Sequence, residues 1–218
     1  HLAGIGFFLS IDRAMLRGLR EGGYAGEIEP YDWTENNPGF AALLNQHTHA
    51  VEANKVAGII EDQLCAHPEE RFTITAHSGG AAIIVWALEK LPPGMKVDEV
   101  ILLSPALSPG YDLSKALRHV REKMYVFYSQ YDATVLGAGT ELFGTMDGVK
   151  CDAAGKVGFH RPSGADAAQY ARLRQVPYNR NWIRLGNIGD HIGALTEPFG
   201  RVVIAPLVMR GELVRSEE

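Results

Sequence analysis

The chain is poor in cysteine. Its 218 residues include only Cys65 and Cys151. Two thiols build neither a disulfide framework nor a zinc-ligand set; they could form one bridge, but nothing else marks an oxidising compartment, so free thiols are the favoured expectation. Long apolar runs are absent too; none reaches the roughly 18 to 20 residues a membrane span requires. Positive charge is in deficit, with 21 Lys and Arg against 26 Asp and Glu for a net charge of −5. That balance, with no basic run, argues against a nucleic-acid surface. There is no repeat, no low-complexity tract and no charged-then-apolar secretory segment, which favours a cytoplasmic over a secreted protein. The first residue is His1 rather than Met, so targeting is not read from this end. Oligomeric state is not legible either.

What the chain does have is an ordinary globular composition, 46% hydrophobic and 22% charged, and a length suited to one domain spanning 1–218. Short β-prone runs alternate with helical patterns, the signature of a parallel sheet covered by helices. Strands are expected at His1–Gly6, Glu27–Trp33, Arg71–Ala76, Glu99–Leu103, Met124–Ser129 and Asn181–Leu185. Helices are expected from Ser10 to Glu21 and from Asn36 to Ala66, the latter with Leu44, Val51, Ile59 and Ile60 inward. Others are expected at Gly79–Leu91, Asp112–Lys123, 165–175 and Pro198–Met209. The fold class is therefore α/β: a three-layer, doubly wound, mostly parallel sheet of about six strands. In such sheets chemistry gathers just beyond the C-terminal strand ends.

One such place is Phe72–Ala82, "FTITAHSGGAA". Strand, tight turn and apolar helix follow one another, with Ser78 at the turn and small residues, Ala76 and Gly80, two positions either side. This is the context of a nucleophile elbow. The bland alternative is a serine that caps the following helix. The elbow reading requires a base and a carboxylate in later strand-end loops. Asp132 follows "MYVFYS" and His191 follows "NWIRL", in the order Ser, Asp, His. His160 is the rival base and Asp112 the rival acid, though Asp112 also suits a helix start. The Gly79 amide, at a helix N-terminus, is one natural oxyanion donor, and the Ile5 amide in Gly4-Ile5-Gly6 is the expected second. That glycine pair lacks the rest of a nucleotide fingerprint. His47 and His49, two apart on a helix, diverge, and are read as a solvated face rather than metal ligands. No cofactor and no metal are expected.

From "HLAGIG" through "TITAHSGG" and "YSQYDATV" to "GDHIG", the chain resembles the α/β-hydrolase serine hydrolases in their minimal form. Its Ala-His-Ser-x-Gly elbow is like that of small bacterial lipases, although Ala3-Gly4 stands where those lipases carry His-Gly. The resemblance implies Ser78 as nucleophile, Asp132 as acid, His191 as base, and Ile5 and Gly79 as oxyanion amides. The implied activity is hydrolysis of a small-molecule carboxylic ester through an acyl-enzyme. Acyl transfer by the same triad and a catalytically inactive, hydrolase-like binding protein are the alternatives. Residues 133–180 are expected as a lid or pocket wall. Trp33, His77, Leu107, Leu136 and Phe143 are candidate lining for an apolar acyl or alkyl part.

Overall fold

The computed structural model describes residues 1–4, 9–34, 42, 45–132 and 144–211. The helix α1 spans Leu9–Glu21 and α2 spans Gln46–Ala66. Strand β1, Thr73–His77, runs into α3, Gly79–Leu88. Strand β2, Val97–Leu103, is followed by the short helix α4, Ser114–Arg118, and then β3, Val120–Tyr128. Two single-turn helices, Ala154–Val157 and Ala167–Tyr170, precede β4, Leu173–Pro177. Helix then runs from Glu197 to Arg210, with a π-helical turn at Gly200–Ile204. None of the described helices is long and apolar enough to cross a membrane.

The sheet has four parallel strands in the order β1-β2-β3-β4, with Ala76 opposite Leu102, Leu102 opposite Val126, and Val126 opposite Gln175. Side chains alternate across it, as pleated strands require. Val100, Leu102, Met124 and Val126 join α2 and α3 in one core; Ile101, Leu103, Tyr125 and Phe127 join α1 and the C-terminal helix in the other. The layers are thus helix, sheet, helix. Parallel pairing sends every strand the same way, so the residues following His77, Leu103, Tyr128 and Pro177 leave from one edge.

Six strands were expected and four are present among the described residues. The described parts of the first two expected strands make only single bridges, Leu2 pairing in parallel with both Tyr31 and Ala76. The sixth is a correction. Arg180–Leu185 is a 3-10 helix, started by the Asn179 side chain accepting from the Asn181 amide and ended at Gly186 in a left-handed conformation. Trp182 and Leu185 face the core at a spacing of three, not two. The true fourth strand, Leu-Arg-Gln-Val-Pro, was masked by its position: an outermost strand carries polar residues and tolerates proline, so it reads as loop.

Three smaller expectations also change. The span Asp112–Lys123 is helical only at Ser114–Arg118, because Val120 already pairs with Val97. On α2 the buried stripe is His49, Glu52, Ala53, Val56, Ala57 and Ile60, so Val51 and Ile59 face outward. His49 is not on a solvated face: its ring stacks on Trp86 and meets Trp33 edge-on, while His47 is exposed. Leu44, Asn36 and Pro38 lie outside the described residues. Cys65 and Cys151 are free and exposed.

Within β2, Glu99 is fully buried, and neither carboxylate oxygen has a hydrogen-bond partner among the described residues. Its nearest cation is Arg71, at 3.5 Å. Burial pushes this carboxyl up to about 7, with Arg71 opposing. The folded chain therefore holds a proton that the unfolded chain releases near the ordinary carboxylate value. Stability falls as pH rises from that value through about 7. Glu99→Gln removes this loss: its thermal midpoint exceeds the parent's by a few degrees at pH 8 and matches it at pH 4. A pH-independent difference in thermal scans would contradict the assignment.

Candidate active site

Ser78 sits between β1 and α3 with φ 51° and ψ −118°, a conformation L-residues rarely adopt. Such strain persists only where the surroundings over-determine it. Here the Ser78 amide donates to the Leu103 carbonyl at 2.9 Å, and the Ser78 carbonyl accepts from Ala81 and Ala106, each at 3.1 Å. Close packing requires the small flanks. A Cβ on Gly80 would lie 2.4 Å from the Ala3 carbonyl oxygen, and Ala76 is fully buried. The serine hydroxyl makes no capping bond to the helix. It is free for another partner, and the helix-cap alternative is removed.

That partner is His191. Ser78 Oγ donates to His191 Nε2 at 2.9 Å. On the other side of the ring, Nδ1 donates to Asp132 Oδ1 at 2.9 Å and Oδ2 at 3.2 Å. A carboxylate only accepts, so Nδ1 carries the hydrogen and Nε2 presents its lone pair to the serine. Asp132 is 6% exposed, on a turn four residues beyond β3 whose amide donates to the Ser129 carbonyl at 2.8 Å. The three residues expected to form a relay are thus brought together, at the edge where the strands end.

His191 arrives on a tightly built segment. Gly189 has φ 88°, and a Cβ there would meet Ser129 Oγ at 2.9 Å and the Tyr178 ring at 3.0 Å. The Tyr178 hydroxyl donates to the Asn187 carbonyl at 3.2 Å, and Asn187 Oδ1 accepts from the Gly189 amide at 2.9 Å. His191 therefore follows β4, through the 3-10 helix, rather than a strand at Asn181–Leu185.

The rivals sit elsewhere. His160 is exposed. Asp112 accepts from the Ser114 amide at 2.9 Å and the Tyr170 hydroxyl at 3.0 Å; the Ser114 side chain first, and then its amide, hold the carboxyl below its ordinary value. Gly79 begins α3, where the first amides of a helix have no intrahelical acceptor. Ile5, Leu136 and Phe143 lie outside the described residues. Trp33 is 2% exposed, its indole donating to the Ala3 carbonyl at 3.0 Å, and Leu107 is fully buried. Both belong to the core. Of the span 133–180, residues 144–180 are described and include β4 itself.

His77 is likewise no pocket wall. It is 2% exposed, and its Nε2 donates to the His191 main-chain carbonyl at 3.0 Å. Burial, then the neighbouring His191, brings its pKa down to about 4. Behind it Asp12, 1% exposed, accepts from His1 Nε2 at 2.8 Å. The sequence carried a signal for Asp12: with Met15, Leu16 and Leu19 it falls on one helical stripe, a carboxylate among apolar residues.

A cavity of about 520 Å³ opens at the opposite end of the strands, lined by Leu16, Leu19, Val56, Ile60 and Ile74, and contains none of the triad. A smaller one of about 380 Å³ lies at the ends of β3 and β4, where Tyr131, Tyr178 and Arg180 line it. Its lining does not include Ser78, Asp132 or His191 either, although Tyr131 precedes Asp132 in the chain. Among the described residues no cluster of His, Cys, Asp or Glu could hold a metal ion. No protein-family model matches the chain, and none of the curated proteins compared with it matches.

Proposed function

We propose that the chain is a serine hydrolase that cleaves a small carboxylic ester through an acyl-enzyme. The observation that carries this reading is the continuous relay from Ser78 Oγ to His191 Nε2 and from His191 Nδ1 to Asp132. Ser78 Oγ attacks the ester carbonyl carbon as its proton passes to His191 Nε2. Asp132 holds the ring in the required tautomer and stabilises the imidazolium. The Gly79 amide, at the positive end of α3, receives the developing oxyanion, with Ile5 as the second donor expected from the sequence. The tetrahedral intermediate collapses, His191 protonates the departing alcohol, and water enters by the same path to release the acid. An apolar acyl or alkyl part is the expected substrate half; the exposed Tyr131 and Ile188 lie one residue before Asp132 and three before His191 in sequence. The α/β-hydrolase family is the proposed setting, on the elbow and the Ser, Asp, His order.

The test is a series of p-nitrophenyl esters of increasing acyl length, run beside labelling with a fluorophosphonate. Turnover on part of the series and one label per chain are expected. Absence of both turnover and label would overturn the reading.

A further inference from the structure

We infer that His77 is a positioning residue: its ring holds the main chain of His191 so that the catalytic imidazole faces Ser78. The inference rests on the hydrolase reading above. His77 occupies the position before the nucleophile, yet its side chain bonds the base, 114 residues away in sequence. The acceptor is the carbonyl of His191 itself, so the bond acts on the residue whose ring must be aimed. A carbonyl only accepts, which places the His77 hydrogen on Nε2 and the lone pair on Nδ1. The two imidazoles lie 4.9 Å apart, tilted by 49°. A Cβ on Gly4 would fall 2.7 Å from His77 Nδ1 and 3.5 Å from Ser78 Cβ. Glycine at this position keeps ring, nucleophile and first loop in close contact.

The groups facing His77 make the same case. Asp12 Oδ1 lies 4.0 Å from Nδ1, with His1 bonded to that carboxylate from the far side. His191, itself bonded to Asp132, lies against the ring. A neutral His77 leaves the positive charge that His191 acquires during the reaction unopposed, whereas a cation at this position would oppose it. Burial supplies that neutrality. The hydrogen bond itself contributes only modestly to stability, because folding exchanges it for bonds to water. Misplacing a catalytic group by 1 Å costs ~10²-fold in rate. The kinetic effect should therefore far exceed the thermodynamic one.

The experiment compares His77→Gln, whose amide nitrogen reaches about where Nε2 lies, with His77→Met, which fills the space without a donor. In His77→Met, kcat is expected to fall ~10²-fold with KM little changed, and His77→Gln is expected to recover most of it. Proton NMR reads the geometry independently of turnover. The downfield Nδ1–H resonance of His191 should persist in the parent and in His77→Gln and be lost in His77→Met. A His77→Met variant that keeps both rate and resonance overturns the inference, as does His77→Gln losing them equally. If the parent neither turns over nor labels, the hydrolase reading fails, and the resonance alone decides the role of His77.

Discussion

Ser78→Ala is expected to abolish fluorophosphonate labelling and to lower kcat on the best ester by ~10⁶-fold, while leaving the fold intact. The size of the loss follows from the mechanism. Among the described residues no other hydroxyl is bonded to His191 Nε2, so on the proposed mechanism the base is left with nothing to activate. What survives is oxyanion stabilisation and binding, worth ~10³- to 10⁴-fold over water. The intact fold follows from the geometry. Losing a serine cap from a helix ordinarily costs about 1 kcal/mol. The Ser78 side chain makes no such bond to α3, and alanine bears the same Cβ at the same positive φ. Thermal scans should therefore superpose. A variant that still labels, or that melts well below the parent, would show that Ser78 is a structural serine.

Asp132→Asn is expected to lower kcat ~10⁴-fold. The substitution keeps size and shape but reverses the hydrogen bond. An amide nitrogen facing Nδ1 donates, which moves the imidazole hydrogen to Nε2. That nitrogen then offers Ser78 a hydrogen where the serine needs a lone pair. The oxygens of Asp132 lie 2.9 and 3.2 Å from Nδ1, so either orientation of the amide is within reach. Orientations with the amide oxygen toward Nδ1 set the residual rate. Rates on the ester series against pH, with labelling kinetics, check this; a loss of less than tenfold would mean that Asp132 does not orient the base.

The relay was legible in the sequence because its parts depend on local chemistry. Strand, turn and helix around Ser78 have clear hydrophobic patterns, and Asp132 and His191 fall in loops after apolar stretches. The edge of the sheet was not legible. Leu173–Pro177 is polar because it is outermost, and its neighbour "NWIRL" mimics a strand through apolar residues that in fact recur every third position. His77 and Asp12 were missed as partners because their bonds depend on tertiary placement. Adjacent to Ser78 in sequence, His77 gave no sign that it would reach a carbonyl 114 residues away. Trp33 and Leu107 stood in loops after expected strands, but nothing local separates a pocket wall from a core residue.

The strands lie side by side in the order in which they are synthesised. A ribosome emits Ser78 first, then the strand preceding Asp132, and His191 only after the outermost strand. On the proposed hydrolase reading, a nascent chain would carry its serine without an imidazole to activate it, and chains truncated before the outermost strand would be inert towards esters.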